Sequence, residues 1–138
     1  MLLGFKNQFV NPILEGEKIH TIRHDVHDRW QPGKTIHMCT GLRTKDLNIF
    51  NIKPCISIQR IIIDTYHEGI GILGAEGIVI FDGWLQPTEI EILSRNDGFE
   101  RLSDFWEWFR NDKHDGTHKL IHWTHLTYPI EGISDLPF

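Results

Sequence analysis

The sequence predicts an α+β fold: a small mixed β-barrel of five or six strands, with two or three short helices packed at its ends. Short β-branched segments alternate with turn residues and do not follow a repeating strand–helix–strand order. One segment, 101–111, has the spacing of a clear amphipathic helix. The 138 residues suffice for one domain with a sizeable core, which we expect at 1–125, followed by an extended tail at 126–138.

In the first third of the chain, alternating apolar and polar residues predict three strands, at 2–5, 20–25 and 35–42. A short helix near 9–15 ends at Gly16, because glycine readily adopts the left-handed conformation that closes a helix.

Three further strands are predicted, at 52–66 (long or bent), 77–81 and 120–124. The glycine-rich 69–74 is interpreted as a hairpin connection. Pro87 suits the first turn of a helix at 87–94. In the helix at 101–111, the i, i+3, i+4, i+7 pattern directs four side chains to the core: Leu102, Phe105, Trp106 and Phe109.

Composition narrows the function classes. No apolar run reaches the ~18 residues of a membrane span, and the N-terminus lacks the features of a signal peptide, so we expect a cytoplasmic protein without a membrane partner. The net charge of −5 argues against binding nucleic acid mainly through phosphate neutralisation. The charge is uneven, since 1–60 carries nine basic and five acidic residues and 61–138 carries five and fourteen. This distribution fits a positive cleft on an acidic body, and it fits chance equally well.

Patterns that suggest a cofactor or a metal have simpler explanations. Gly69, Gly71 and Gly74 match a dinucleotide-binding spacing, but no helix is expected directly after them, where the pyrophosphate would need one. The nine histidines lack the spacing of a recognised metal site. Cys39 and Cys55 are expected to be reduced core residues. We therefore predict neither a cofactor nor a metal.

The strongest functional signal is the segment Pro12–Arg23, where a helix end, a glycine and a strand bring Lys18, Thr21 and Arg23 close together. If buried, an amine, a hydroxyl and a guanidinium in so short a segment need a polar or anionic partner. That partner is either a structural carboxylate or a ligand. Thr21 and Arg23 share one strand face, so Lys18 reaches the same cleft only if it still belongs to the preceding turn.

Two exposed-aromatic candidates also stand out. Trp30 lies in a polar loop beside Arg29 and Lys34, which suits stacking on a base, or else anchoring of the loop over one end of the barrel. Trp108 lies outside the apolar stripe of its helix and is expected to be partly exposed.

The motif Pro-Ile-Leu-x-Gly-x-Lys-x-x-Thr-Ile-Arg, followed by Pro-Gly-Lys and by Cys-Thr-Gly-Leu-Arg at 39–43, resembles the ASCH domain, a small β-barrel relative of the PUA and YTH folds. Asn-Asp-Gly-Phe at 96–99 is similar to the family's acidic-Gly-Phe turn. The resemblance covers most of 2–124 and excludes 44–76 and the tail.

The resemblance implies binding of RNA or nucleosides. Some small bacterial members are amidohydrolases that remove acetyl from N(4)-acetylcytidine, with a lysine, a threonine and a glutamate as the catalytic set. By motif position these correspond to Lys18, Thr21 and Asp97, where the acid is one methylene shorter than in the enzymes.

Two functions are therefore predicted, and the oligomeric state is left open. The first is a module that binds RNA or a modified nucleoside on the Lys18–Arg23 turn, with a rim formed by Trp30, Lys34 and Arg43. The alternative is an amidohydrolase in which Thr21 is the nucleophile, Lys18 its base and Asp97 the group that orients the amine or passes a proton. The shortened acid favours the first.

Overall fold

The computed structural model describes residues 1–74, 79–112 and 117–130, which form an α+β fold with a three-stranded and a five-stranded sheet. The strands in these residues are β1 (Leu2–Gly4), β2 (His20–Arg23), β3 (Thr35–Thr40), β4 (Asn48–Pro54), β5 (Ser57–Asp64), β6 (Gly69–Leu73), β7 (Val79–Trp84) and β8 (Thr117–His122). The helices are α1 (Val10–Leu14), α2 (Pro87–Asn96) and α3 (Leu102–Arg110), and a single 3-10 turn at Asn7–Phe9 precedes α1.

The smaller sheet has the order β1-β3-β4, with β1 parallel to β3 and β4 antiparallel to it. The larger sheet has the order β2-β8-β5-β6-β7, with every neighbouring pair antiparallel. The predicted α+β class is confirmed, with more strands than the five or six expected. Within the residues that the structure describes, the strand pairings form two separate sheets, and the predicted barrel is not confirmed.

The isoleucine-rich segment expected as one strand is two strands in different sheets. Between β4 and β5 the chain turns at Cys55, whose N–H donates to the Lys34 carbonyl (2.8 Å), while the next N–H, of Ile56, donates to His122 (2.8 Å). Each of these bonds commits the chain to a different sheet. The single-strand prediction was wrong because apolar content does not reveal a change of pairing partner.

The glycine-rich 69–73 forms a strand, β6, and not the predicted hairpin connection. A Cβ on Gly69 would lie 3.2 Å from Trp84, and one on Gly71 would lie 3.4 Å from the same ring. The glycines therefore leave room for an indole that covers the strand. Of the strand predicted at 77–81, residues 79–81 fall in β7, and 77 and 78 lie outside the described residues.

Both longer helices form where they were predicted. In α3, Phe105, Trp106 and Phe109 are buried and Leu102 is partly buried against the core, while Trp108 is 37% exposed. Helix α2 begins at Pro87, and the Glu89 carboxylate accepts a hydrogen bond from Gln86 N (3.2 Å). No helix in the described residues has the length and apolarity needed to cross a membrane.

The segment 126–130, expected as the start of an extended tail, packs on the domain. Tyr128 is 3% exposed, and the N–H of Ile130 donates to Glu89 Oε2 (3.0 Å). Packing therefore continues past the expected boundary at 125 to at least Ile130. The rest of the predicted tail, 131–138, lies outside the described residues.

Candidate functional site

The turn that precedes β2 fixes the position of Lys18. Helix α1 closes at Gly16, which has φ +79°. The N–H groups of Glu17 and Lys18 then both donate to the Pro12 carbonyl, at 2.9 and 3.0 Å. Lys18 therefore belongs to the turn and not to the strand, which is the condition for it to share a cleft with Thr21.

A second turn, at the end of α2, lies against the first. The Ile19 N–H donates to the Asn96 carbonyl (2.8 Å), which brings Asp97 to the Lys18 side chain. Gly98 has φ +97°, and a Cβ there would lie 2.9 Å from Phe9 Cδ1 and 3.0 Å from Lys18 Cδ. Glycine is thus required both for the backbone conformation and for the close approach of the two turns.

The Lys18 amine is almost fully buried, at 2% exposure. Its Nζ donates to the Asp97 backbone carbonyl (2.5 Å) and to Asp97 Oδ1 (3.3 Å), and it lies 4.8 Å from the ring centre of Phe9. Burial lowers the pKa of Lys18 to about 8; Asp97 opposes this change, and the positive charge of Arg23 adds to it. The amine is therefore partly neutral near physiological pH.

Thr21 and Arg23 lie beside each other on β2, as the alternation of the strand predicted. Arg23 Nε donates to Thr21 Oγ1 (3.2 Å), Nη2 donates to the Gly4 carbonyl (2.7 Å), and the guanidinium carbon lies 4.9 Å from the ring centre of Phe5. Burial lowers the pKa of Arg23 to about 10, so the group stays charged at neutral pH. Among the described residues, its other N–H groups have no hydrogen-bond partner and are available to a ligand.

These side chains open into one cleft of about 550 Å³, which we call the basic cleft. Lys18, Thr21, Arg23 and Asp97 all line it, so the structure brings the predicted catalytic set together with Arg23 of the predicted ligand-binding turn.

An aromatic wall, formed by Phe9, Phe99 and Trp108, closes one side of the basic cleft. Each ring meets the other two edge to face, with ring centres 5.6–5.7 Å apart. Lys6 Nζ lies 5.0 Å from the centre of the Trp108 ring. The partly exposed indole of Trp108 is therefore the aromatic surface that a ligand in this cleft would meet.

The predicted rim residues lie elsewhere. Trp30 is 5% exposed, with its backbone N–H donating to Asp25 Oδ2 (2.9 Å) and its backbone carbonyl accepting from Lys119 Nζ (3.3 Å). Its assignment as a stacking residue was wrong, because these contacts hold it in the core as a loop anchor. Lys34 and Arg43 are exposed and do not line the basic cleft, so the prediction that they form its rim was also wrong.

Behind Asp97 lies a buried polar network that the sequence analysis missed. His20 Nδ1 lies 3.1 Å from Asp97 Oδ1, and His20 Nε2 lies 2.7 Å from the Tyr128 hydroxyl. The oxygen of this hydroxyl accepts a hydrogen bond from Asn96 Nδ2 (3.0 Å). A histidine between the lysine and the threonine of the motif is a signal that could have identified His20. No comparable signal marks Tyr128.

Comparisons of this chain with protein-family models, with curated proteins and with solved structures found no match. The ASCH resemblance and the functions that it implies therefore stay proposals.

A second cleft, of about 700 Å³, shares Phe99 and Trp108 of the aromatic wall with the basic cleft. One arginine and three carboxylates line this acidic cleft: Arg95, Glu17, Glu100 and Asp104. No group of three or more His, Cys, Asp or Glu side chains in the described residues is placed to hold a metal ion.

Proposed function

We propose that the basic cleft binds a nucleoside or a modified nucleoside, as the ASCH resemblance implies. One observation carries the proposal: the buried amine of Lys18, the half-buried guanidinium of Arg23 and the partly exposed indole of Trp108 line the same cleft. A nucleoside has the matching parts, because its sugar and base carry polar acceptors and its base offers a flat face for stacking.

The surroundings of the cleft favour a single nucleoside over an RNA strand. A strand that continued past Trp108 would place its phosphates in the acidic cleft, opposite Glu17, Glu100 and Asp104. Like charges facing each other in this way oppose binding. The net charge of −5 gives no general attraction to a polyanion either.

Calorimetric titration with cytidine, N(4)-acetylcytidine and a short single-stranded RNA tests this proposal. We expect the nucleosides to bind, and we expect Arg23→Ala to weaken their affinity about 10-fold or more. A hydrogen bond to a charged group contributes roughly 1.5–3 kcal/mol. Lys34→Ala is the matched control, because it removes an exposed cation outside the cleft. Absence of nucleoside binding at millimolar concentration, or equal losses in the two variants, would refute the proposal.

A specific observation favours the amidohydrolase as the second candidate: Thr21 and an amine with a pKa of about 8 line one cleft. At pH 7 about a tenth of such an amine is neutral, against well under a thousandth of an ordinary lysine. The neutral amine accepts the Thr21 proton as Oγ1 attacks the acetyl carbonyl of N(4)-acetylcytidine. The C–N bond then breaks, the cytosine N4 leaves with a proton, and water releases acetate from the threonine ester.

Release of acetate from N(4)-acetylcytidine is the measurement for this second candidate. Thr21→Ala should abolish it, because no nucleophile remains, and Thr21→Ser should retain part of it. Thr35→Ala, an exposed threonine outside the cleft, is the matched control. If the unmodified protein binds N(4)-acetylcytidine and releases no acetate at high concentration, binding stands alone as the function.

A further inference from the structure

The buried network behind the basic cleft is a continuous chain of hydrogen bonds that runs from Asn96 through Tyr128, His20 and Asp97 to Lys18. His20 is 0% exposed and Tyr128 is 3% exposed, so water does not compete for these bonds. His20 does not line the cleft. Its contribution to the site must therefore pass through Asp97.

The direction of each hydrogen bond follows from the groups involved. An ionised carboxylate only accepts, so His20 must carry its hydrogen on Nδ1 to bond Asp97 Oδ1. A neutral imidazole has a single N–H, so Nε2 is an acceptor, and the Tyr128 hydroxyl donates to it at 2.7 Å. The same hydroxyl oxygen accepts from Asn96 Nδ2. Burial lowers the pKa of His20 and raises that of Tyr128, which keeps both groups neutral at pH 7.

Tyr128 is itself held at both of its backbone polar groups by one side chain. Gln59 Nε2 donates to the Tyr128 carbonyl (2.7 Å), and Gln59 Oε1 accepts from the Tyr128 N–H (3.0 Å). His122 Nε2 lies 2.9 Å from the same oxygen. The hydroxyl that faces His20 is therefore fixed in place by strand β5.

We propose that His20, held in its Nδ1–H tautomer by Tyr128, is a positioning residue that orients the Asp97 carboxylate toward the Lys18 amine. His20 Nδ1 and Lys18 Nζ bond the same oxygen, so Asp97 Oδ1 is held between the two donors. The segment 126–130 becomes part of the site through its tyrosine. The consequence for a ligand rests on the proposed function, whereas the arrangement itself does not.

The first test is a nitrogen-15 NMR measurement of the His20 ring in the free, full-length protein at pH 7. We expect a protonated Nδ1 and an unprotonated Nε2. In Tyr128→Phe, which removes only the hydroxyl, we expect a mixture of tautomers, whereas the control Tyr66→Phe removes a hydroxyl from a residue that is 87% exposed and should change nothing. An Nε2–H tautomer or a doubly protonated ring in the unmodified protein would overturn the proposal.

The second test is the pKa of Lys18, followed through its Cε carbon shift and assigned with Lys18→Met. The charged and titratable groups that face this amine and its carboxylate are Asp97, Arg23 and His20, with His122 and Tyr128 next to His20. Asp97 raises the Lys18 pKa, so loosening Asp97 in Tyr128→Phe or His20→Phe should lower that pKa by about half a unit or more. His20→Asn keeps an N–H donor near the Nδ1 position, so the pKa of Lys18 in this variant should stay close to that of the unmodified protein. An unchanged Lys18 pKa in both Phe variants would overturn the proposal.

Both readouts are made without ligand, which separates this proposal from the proposed function. The expected tautomer and pKa changes in a protein that binds no nucleoside would reject the function and keep the positioning role. Nucleoside binding with the opposite tautomer would keep the function and reject the positioning role. If Tyr128→Phe does not fold, the tautomer in the unmodified protein and the His20→Asn variant still decide the question.

Discussion

Two buried lysines at different places in this fold show how surroundings decide what a lysine is for. Lys18, in the basic cleft, has one carboxylate, which it shares with His20, and a second cation, Arg23, close by. Lys119, on β8, has two carboxylate partners: its Nζ lies 3.0 Å from Asp25 Oδ2 and 2.6 Å from Asp28 Oδ1.

The two amines differ in pKa in opposite directions. At Lys18, burial outweighs the one carboxylate and lowers the pKa to about 8. Burial alone would also lower the pKa of Lys119, but the hydrogen bonds to Asp28 and Asp25 outweigh it and raise the pKa above its ordinary value. The charge of Lys119 stabilises the fold, whereas the charge of Lys18 is disfavoured by its surroundings. A buried charge with a strongly shifted pKa is typical of a functional residue.

The largest effect that this comparison predicts is a difference between two matched substitutions. Lys119→Met leaves the buried Asp25 carboxylate without its counter-ion, and we expect it to lower the free energy of unfolding by about 3 kcal/mol. Lys18→Met removes a charge that burial disfavours, and Asp97 keeps its bond to His20, so we expect a smaller loss of stability than in Lys119→Met. Urea unfolding at pH 7 measures both. The reverse order would break the comparison.

The sequence predicted the residues that are placed by local structure and did not predict those that are placed by contacts between distant parts of the chain. Lys18, Thr21 and Arg23 were found because one turn and one strand hold them close together in the sequence, and Asp97 was found through the resemblance to the ASCH motif. The stacking interpretation of Trp30 was wrong because the ring is buried in the core, and the contacts of this loop include a bond from Lys119, 89 residues away in the chain. Pairing over such a distance leaves no local pattern. The bond between His20 and Tyr128, which lie 108 residues apart, likewise has no local pattern that predicts it.

The second prediction concerns pH. Between about pH 8 and the unfolded value near 10.5, the unfolded chain keeps a proton on Lys18 that the folded protein has lost, so this lysine makes stability rise with pH in that window, by up to about 3 kcal/mol. Lys119 acts in the opposite sense. Its raised pKa gives a contribution that is complete below pH 10.5 and is lost as the pH rises through the folded value.

Urea unfolding at several pH values, with Lys18→Met as the reference, measures the Lys18 part alone. The difference between the two proteins cancels other groups that titrate in this range, such as Cys39 and Cys55, whose pKa values are raised by burial. We expect the unmodified protein to gain stability relative to the variant from pH 8 to pH 10. A difference that stays constant would show that Lys18 titrates like an ordinary lysine.

The smallest of the three effects tests how tightly the cleft lysine is held. Gly98→Ala and Gly16→Ala both place a methyl group at a positive φ, +97° and +79°, and share a strain of about 1 kcal/mol. At Gly98 the new Cβ also meets Phe9 and Lys18 within 3.0 Å, whereas at Gly16 nothing lies within 4 Å. We therefore expect Gly98→Ala to be less stable than Gly16→Ala by a further 1–2 kcal/mol or so. Equal losses in urea unfolding would mean that the Lys18 side chain moves aside easily, and an amine that moves so freely would not be the fixed cation on which the cleft depends.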